Sequence, residues 1–192
     1  MYIDLTLSID IQDPIIAKAS ADPDSYMSRG HIGTHLDVYG GQAFPPPHYC
    51  MRRGLLIDAR DAGEEIGLAI LAGRELQAGD FLIFHTGHLA RHVYGSRPYY
   101  QTQPRFSWDL VEHLAERDTG FIGLDFPGMR SGPEHNTADR IVGSRGGYVI
   151  ENLANVDRLH AEAGDRTFLV CTGWTGFQGS TGLSCRVVAH LD

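Results

Sequence analysis

Short aliphatic and aromatic runs recur along the whole chain, each closed off by charge or glycine. "GLLIDA" (54–59) is compact, apolar and flanked by charge, the pattern of a buried strand. "DFLIFHTG" (80–87), "TGFIGLD" (119–125), "GYVIENL" (147–153), "RTFLVCTG" (166–173) and "CRVVAHL" (185–191) have the same character, and "MYIDLTLSID" reads as a first strand and not as a leader peptide. Two segments have helical spacing. "FSWDLVEHLAERD" (106–118) puts Leu110, Val111, Leu114 and Ala115 on one stripe behind a capping Ser107. "EEIGLAILAGREL" (64–76) predicts a weaker helix, interrupted by Gly67 and Gly73. Residues 10–30 and 88–105 read as long loops, which in a compact domain usually serve function or an interface. Strands outnumber helices, and β-β steps mix with β-α-β steps, so the class is α/β without a clean doubly wound order.

Composition narrows the picture. A length of 192 residues suits one domain, taken as 1–192, with a core large enough to need no disulfide. Hydrophobic content is 42%, and no apolar run is long enough to span a membrane as a helix. A net charge of −8 argues against nucleic-acid and anionic membrane partners. Cys50, Cys171 and Cys185 are odd in number and far apart, which fits reduced thiols and a cytoplasmic setting and offers no thiolate zinc site. Ten histidines are many for this length, and they cluster.

The densest cluster is "HIGTHLD" (31–37). In an extended strand His31, Gly33, His35 and Asp37 share one face, and Thr34 and Leu36 the other. Full extension would hold His31 and His35 roughly 13 Å apart at about 3.3 Å per residue, too far for a common ion. The chain must bend between them, and Gly33 is where it can. A helical H-x₃-H is the competing reading, disfavoured by Gly33, Thr34 and the Val-Tyr-Gly-Gly that follows. Imidazole and carboxylate without thiolate suit zinc or manganese alike.

Other residues could complete such a site. Glu151 lies in an apolar strand between Ile150 and Asn152, where a carboxylate needs a cation, an arginine partner or a metal. His135 stands upstream of it. "HTGHLARH" supplies His85, His88 and His92, with His88 a candidate for the substrate pocket, and Trp174 in "CTGWTGF" suits a pocket wall. No G-x-S-x-G elbow accompanies these histidines, which leaves a serine triad little support.

These motifs together resemble the cyclase-like metal-dependent hydrolase family, which includes bacterial kynurenine formamidases and isatin hydrolases. "HIGTHLD" matches its H-x-G-T-H-x-D motif in full. "IDLTLSI", "FIGLDFPG", "EHNTADRIVGSRGGYVIENLANVDRL" and "GLSCRVVAH" resemble its first strand, G-x-D segment, second metal segment and final strand, with Ser184 where proline is common. The resemblance implies a swivelling β/β/α domain with a mixed sheet and few helices, assembled as homodimers or homotetramers. It implies one ion held by His31, His35 and Asp37, with Asp37 bridging to a second held by His135 and Glu151, so one or two divalent ions per chain. The family motif continues as A-P-x-H, whose histidine is the acid/base. Here those positions are Val38, Tyr39, Gly40 and Gly41. His48, beyond "FPPP", is the substitute if that loop folds back; Asp37 or a histidine of 85–92 are the other candidates.

The expected function is metal-dependent hydrolysis of an amide-type C–N bond, an aryl formamide or cyclic amide, in a small aromatic substrate. The rival is a catalytically silent metal-binding relative acting as a small-ligand binder, favoured by Gly41. A third reading has the histidines bind nothing.

Overall fold

The computed structural model describes residues 1–39 and 42–192. Among the described residues ten strands form in chain order: β1 (Tyr2–Asp4), β2 (His35–Asp37), β3 (Met51–Asp58), β4 (Glu65–Ile66), β5 (Phe81–His85), β6 (Arg105–Phe106), β7 (Phe121–Leu124), β8 (Tyr148–Glu151), β9 (Phe168–Trp174) and β10 (Gly182–His190). Six short helices accompany them: α1 (Pro14–Ala21), α2 (His88–Arg91), α3 (Arg97–Gln101), α4 (Trp108–Glu116), α5 (His135–Gly143) and α6 (Val156–Ala163).

β3, β5, β7 and β8 are successive parallel neighbours. β2 adds antiparallel to β8, and β9 antiparallel to β3. β10 then pairs with both β9 and β2, which closes the sheet into a barrel-like ring of seven strands. β1 lies beyond β2 along the same side of β10. β4 and β6 form a separate two-stranded ribbon.

Strand alternation divides the core in two. Leu56, Phe81, Ile83, Phe121, Tyr148 and Ile150 point into the ring. Leu55, Ile57, Leu82, Phe84, Ile122 and Val149 point outward and pack beneath α4 and α5. The expected stripe on α4 is buried against this outer face, with Ser107 at the N-cap. Its hydroxyl turns to the Asp109 carboxylate and caps no backbone amide.

Three local expectations change. Residues 64–76 form β4 and a 3₁₀ turn (Leu68–Leu71), not a helix. Gly67 and Gly73 bracket the apolar run, and tertiary packing of Leu68, Ile70 and Leu71 on the outer core outweighs its helical spacing. Residues 10–30 contain α1, which Asp13 caps by accepting from the Ile15 and Ile16 amides. Residues 88–105 contain α2 and α3, the latter capped by Ser96 with Pro98 in its first turn. No helix among the described residues is long and apolar enough to cross a membrane.

Leu114 is fully buried in the outer layer with α5 beside it. Leu114→Ala is expected to cost about 2–5 kcal/mol by opening a cavity there. Urea denaturation followed by circular dichroism measures it; a cost below about 1 kcal/mol would contradict this packing.

Candidate metal centre

The parallel strands end at one rim of the sheet, where ligand sites of open α/β sheets commonly sit. Glu151 is the last residue of β8 and pairs with His35 of β2. On β2, Leu36 enters the inner core while His35 and Asp37 face the other way. Gly33, at φ +60°, supplies the bend that brings His31 back onto His35.

The two imidazoles and Asp37 meet closely. His31 Nδ1 is 2.9 Å from Asp37 Oδ1 and 3.1 Å from His35 Nε2. His35 Nε2 is 3.3 Å from Asp37 Oδ1 and 3.4 Å from Glu151 Oε2. Among the described residues neither oxygen of Asp37 receives an aligned hydrogen bond, although the nitrogens crowd it. His35 Nδ1 is 2.9 Å from the Gly33 carbonyl, which can only accept, so Nδ1 keeps a proton and Nε2 is turned to the carboxylates. His31 Nε2 is engaged by the Thr181 hydroxyl at 2.9 Å, which leaves Nδ1 facing inward. The point where these atoms converge calls for positive charge, either a proton on a ring nitrogen or a metal cation.

Electrostatics tell the same story. Burial alone would lower the pKa of His35, but Asp37 outweighs it and lifts the imidazole to about 9. Burial pushes Asp37 up, and His35 and His31 more than reverse this, holding it well below the usual carboxylate range. Glu151 and Asp139 are driven well above their ordinary values, first by burial and then by the charge of Asp37. Burial and then the same three carboxylates push the Tyr39 phenol up, so its hydroxyl stays protonated.

α5 delivers His135 to the far side of Glu151, with His135 Nε2 3.4 Å from Glu151 Oε1 and 3.2 Å from Asp139 Oδ2. The chain passes very close at Gly128, where a Cβ would lie 2.4 Å from His135 Nδ1 and 2.8 Å from Glu151 Oε1. The structure thus brings together His31, His35, Asp37, His135 and Glu151, and adds Asp139, which the strand-by-strand reading missed. Its signal was H-x₃-D at 135–139, legible only once that segment is read as a helix.

The remaining candidates lie elsewhere. His48 is exposed on a 3₁₀ turn (Pro47–Cys50), edge-on to Tyr49, and does not line the cavity above the cluster. Trp174 ends β9, opposite Cys185 in the β9–β10 ladder, and packs toward Phe121 in the inner core; it does not line the cavity above the cluster. His88 is buried behind the pocket, its Nε2 donating to the Tyr99 carbonyl at 2.8 Å. Tyr99 donates to Asn152 Oδ1 at 2.6 Å, and Asn152 Nδ2 donates to the Gly33 carbonyl at 2.8 Å. His88 therefore belongs to the support behind His35. Gly41, which stands where the resemblance places an acid/base, lies outside the described residues.

A cavity of about 470 Å³ opens above the cluster. His31, His35, His135 and Glu151 form its floor, and Tyr26, Tyr39, Tyr94 and Tyr100 stand in its walls. Among the described residues no lysine or arginine lines it.

With this fold and centre, the chain belongs to the family named Cyclase ("Putative cyclase"), whose pattern matches residues 3–130 and so includes the 31–37 cluster but not His135, Asp139 or Glu151. Solved structures share the fold over nearly the whole chain. A "predicted metal-dependent hydrolase" from Bacillus stearothermophilus superposes with a TM-score of 0.74 at 19% identity, covering 98% of this chain and 97% of that one. Isatin hydrolase A from Labrenzia aggregata gives 0.76 at 18% identity, covering 98% and 93%. Isatin hydrolase A from Ralstonia solanacearum gives 0.71 at 18%, covering 98% and 91%. No curated protein sequence matches the chain significantly.

Asn152 holds the Gly33 carbonyl that orients His35, and it does so from a left-handed φ of +60°. Asn152→Ala is expected to weaken divalent-metal affinity by about 10- to 100-fold, the usual effect of removing such support. Calorimetric titration of the chelator-stripped protein measures it; unchanged affinity in a folded variant would remove Asn152 from the centre.

Proposed function

We propose that this protein is a metal-dependent hydrolase of an amide-type C–N bond, an aryl formamide or a cyclic amide, in a small uncharged aromatic substrate. The observation that carries the reading is the convergence of His31 Nδ1, His35 Nε2 and Asp37 Oδ1 on one point beneath a tyrosine-walled cavity. The donor set fits a divalent ion, zinc or manganese, held by His31, His35 and Asp37, with His135 and Glu151 available to a second. Such an ion would supply Lewis acidity, making water more acidic and polarising the substrate carbonyl.

The chain's own residues account for the rest. Tyr26, Tyr94 and Tyr100 offer ring faces to an aromatic substrate. With no cationic side chain along the described walls, a substrate carboxylate would gain no partner there. Tyr39 stacks on His31, with ring centroids 5.6 Å apart, and its buried hydroxyl has no partner among the described residues. We assign it to donate a hydrogen bond to the carbonyl oxygen as negative charge develops. With a single ion bound at the His31 side and Glu151 ionised, Glu151 Oε1, at the floor and without a hydrogen-bond partner among the described residues, would accept a proton from the attacking water and return it to the leaving nitrogen; with a second ion bound it would serve as a ligand instead.

The silent-binder reading gains one observation, the outward position of His48. The same assays separate the two. Metal-loaded protein is expected to hydrolyse N-formylanilines or isatin and to discriminate against carboxylated analogues. Absence of turnover across formamides, lactams and lactones, with metal bound, would establish the binder. Tyr39→Phe should lower kcat by about 10²-fold with metal content unchanged. His35→Ala should sharply reduce the metal found by elemental analysis, and unchanged content would sink the site.

Assembly into dimers or tetramers is proposed with this reading, supported by the exposed Ile15, Tyr26 and Tyr100 beside the cavity and Val93 on the neighbouring loop. Cytoplasmic residence is proposed from three unpaired cysteines.

A further inference from the structure

The segment 88–105 brings more to the cavity than its tyrosines. Gln103, just past α3, is half-buried and lines the same space. Its Nε2 donates to the Gly128 carbonyl at 3.2 Å and to the Arg130 carbonyl at 3.3 Å. Carbonyl oxygens only accept, so both hydrogens of the side-chain amide are spent and its orientation is settled. What remains to meet a ligand is Oε1, which can only accept.

The partner that fixes Gln103 also places it. Gly128 runs so close to the floor that a Cβ there would lie 2.4 Å from His135 Nδ1 and 2.8 Å from Glu151 Oε1. Gln103, bonded to the Gly128 carbonyl, therefore stands beside the floor on the side of His135 and Glu151. Two other polar groups of the lining are already committed. Asn152 accepts from Tyr99 and donates to the Gly33 carbonyl, and the Tyr94 oxygen accepts from the Gly33 amide. Asp24, Ser131 and Asn136 also line the cavity, but Gln103 is the one tied to the backbone that packs on the floor.

A secondary amide or a lactam carries an N–H beside the carbonyl that is attacked. Esters, lactones and N-alkyl amides do not. We propose that Gln103 is a specificity-determining residue whose Oε1 accepts the N–H of the scissile amide, so that the site selects C–N bonds whose nitrogen bears hydrogen. A methyl group or an ester oxygen at that position would leave Oε1 unpaired, and an unpaired polar group in a partly closed site penalises the analogue that causes it. The inference rests on the reading of the cavity as the site of amide hydrolysis and adds which amides enter it.

Calorimetric titration of metal-loaded protein with oxindole and N-methyloxindole, lactams without the activated second carbonyl of isatin, reads the contact without turnover. Wild type is expected to bind oxindole about 10-fold more tightly than its N-methyl counterpart. Gln103→Leu and the unbranched Gln103→Met should bring that ratio close to one by weakening oxindole alone; melting curves establish that each variant is folded. If Gln103 only braces the 128–130 segment, both lactams weaken together and the ratio is unchanged, which would overturn the proposal. A wild-type ratio near one, or binding of neither lactam, would overturn it too. In turnover, the same preference is expected in kcat/KM for isatin over N-methylisatin, scaled by their alkaline hydrolysis rates, and it should vanish in both variants. Metal-loaded protein that prefers oxindole but hydrolyses neither isatin would end the hydrolase reading and leave the Gln103 contact standing. Hydrolysis of both isatins with a binding ratio near one would do the reverse.

Discussion

Asp37, Asp139 and Glu151 bury three carboxyl groups around a shared space, and the cost of ionising them together is the constraint on which the centre depends. Their exposures are 2%, 5% and 4%. They are almost wholly withdrawn from the surface, and both oxygens of Asp37 and Asp139 and Oε1 of Glu151 have no hydrogen-bond partner among the described residues, although histidine nitrogens lie close by. Removing one would relieve repulsion but leave its neighbours oriented for a cation. The charge is balanced either by protons, on His35, Asp139 and Glu151, or by cations, because unpaired buried charge is costly.

That unit is held by three pieces of backbone with different mechanical character. β2 and β8 are strapped together by the ladder, so His35 and Glu151 move as one. α5 is joined to the sheet through Ala138 and Val142 in the outer core. The bend before β2 is held from both sides: Tyr94 accepts from the Gly33 amide at 2.8 Å, and Asn152 donates to its carbonyl. Thr34 extends the same stitching, accepting from the Leu7 amide and donating to the Asn152 carbonyl, both at 2.8 Å. Residues from four separated stretches of chain thus fix the aim of one imidazole.

Much of this was legible from residue patterns. The same-face spacing of His31, His35 and Asp37 required a bend at Gly33, and the bend is there. Glu151 stood out because an apolar strand has no other reason to hold a carboxylate. The inner and outer core strands were visible as short aliphatic runs. What escaped notice depended on tertiary context. α1 and α3 are short and owe their starts to single caps, Asp13 and Ser96, within polar sequence that gives no period. Asp139 is hidden in the sequence because H-x₃-D at 135–139 shares a face only in a helix, and the short, polar α5 gives little apolar period to announce one. His48, Trp174 and His88 had the right chemistry, but where the chain carries them is decided by the proline turn, the β9–β10 ladder and the bond to Tyr99, none of which local pattern encodes.

β2 is three residues long, and neighbours on both sides hold it: His35 lies opposite Glu151 on one and Ser184 on the other. A strand so short has little register of its own. Sliding it by one residue would turn Leu36 toward the cavity and drive His35 and Asp37 into the inner core. Because β2 is paired on both sides, such a slip must break two ladders at once. An insertion or deletion between Gly33 and Asp37 is therefore a change of a different kind from a substitution there. The length of that segment is under as strict a constraint as its composition.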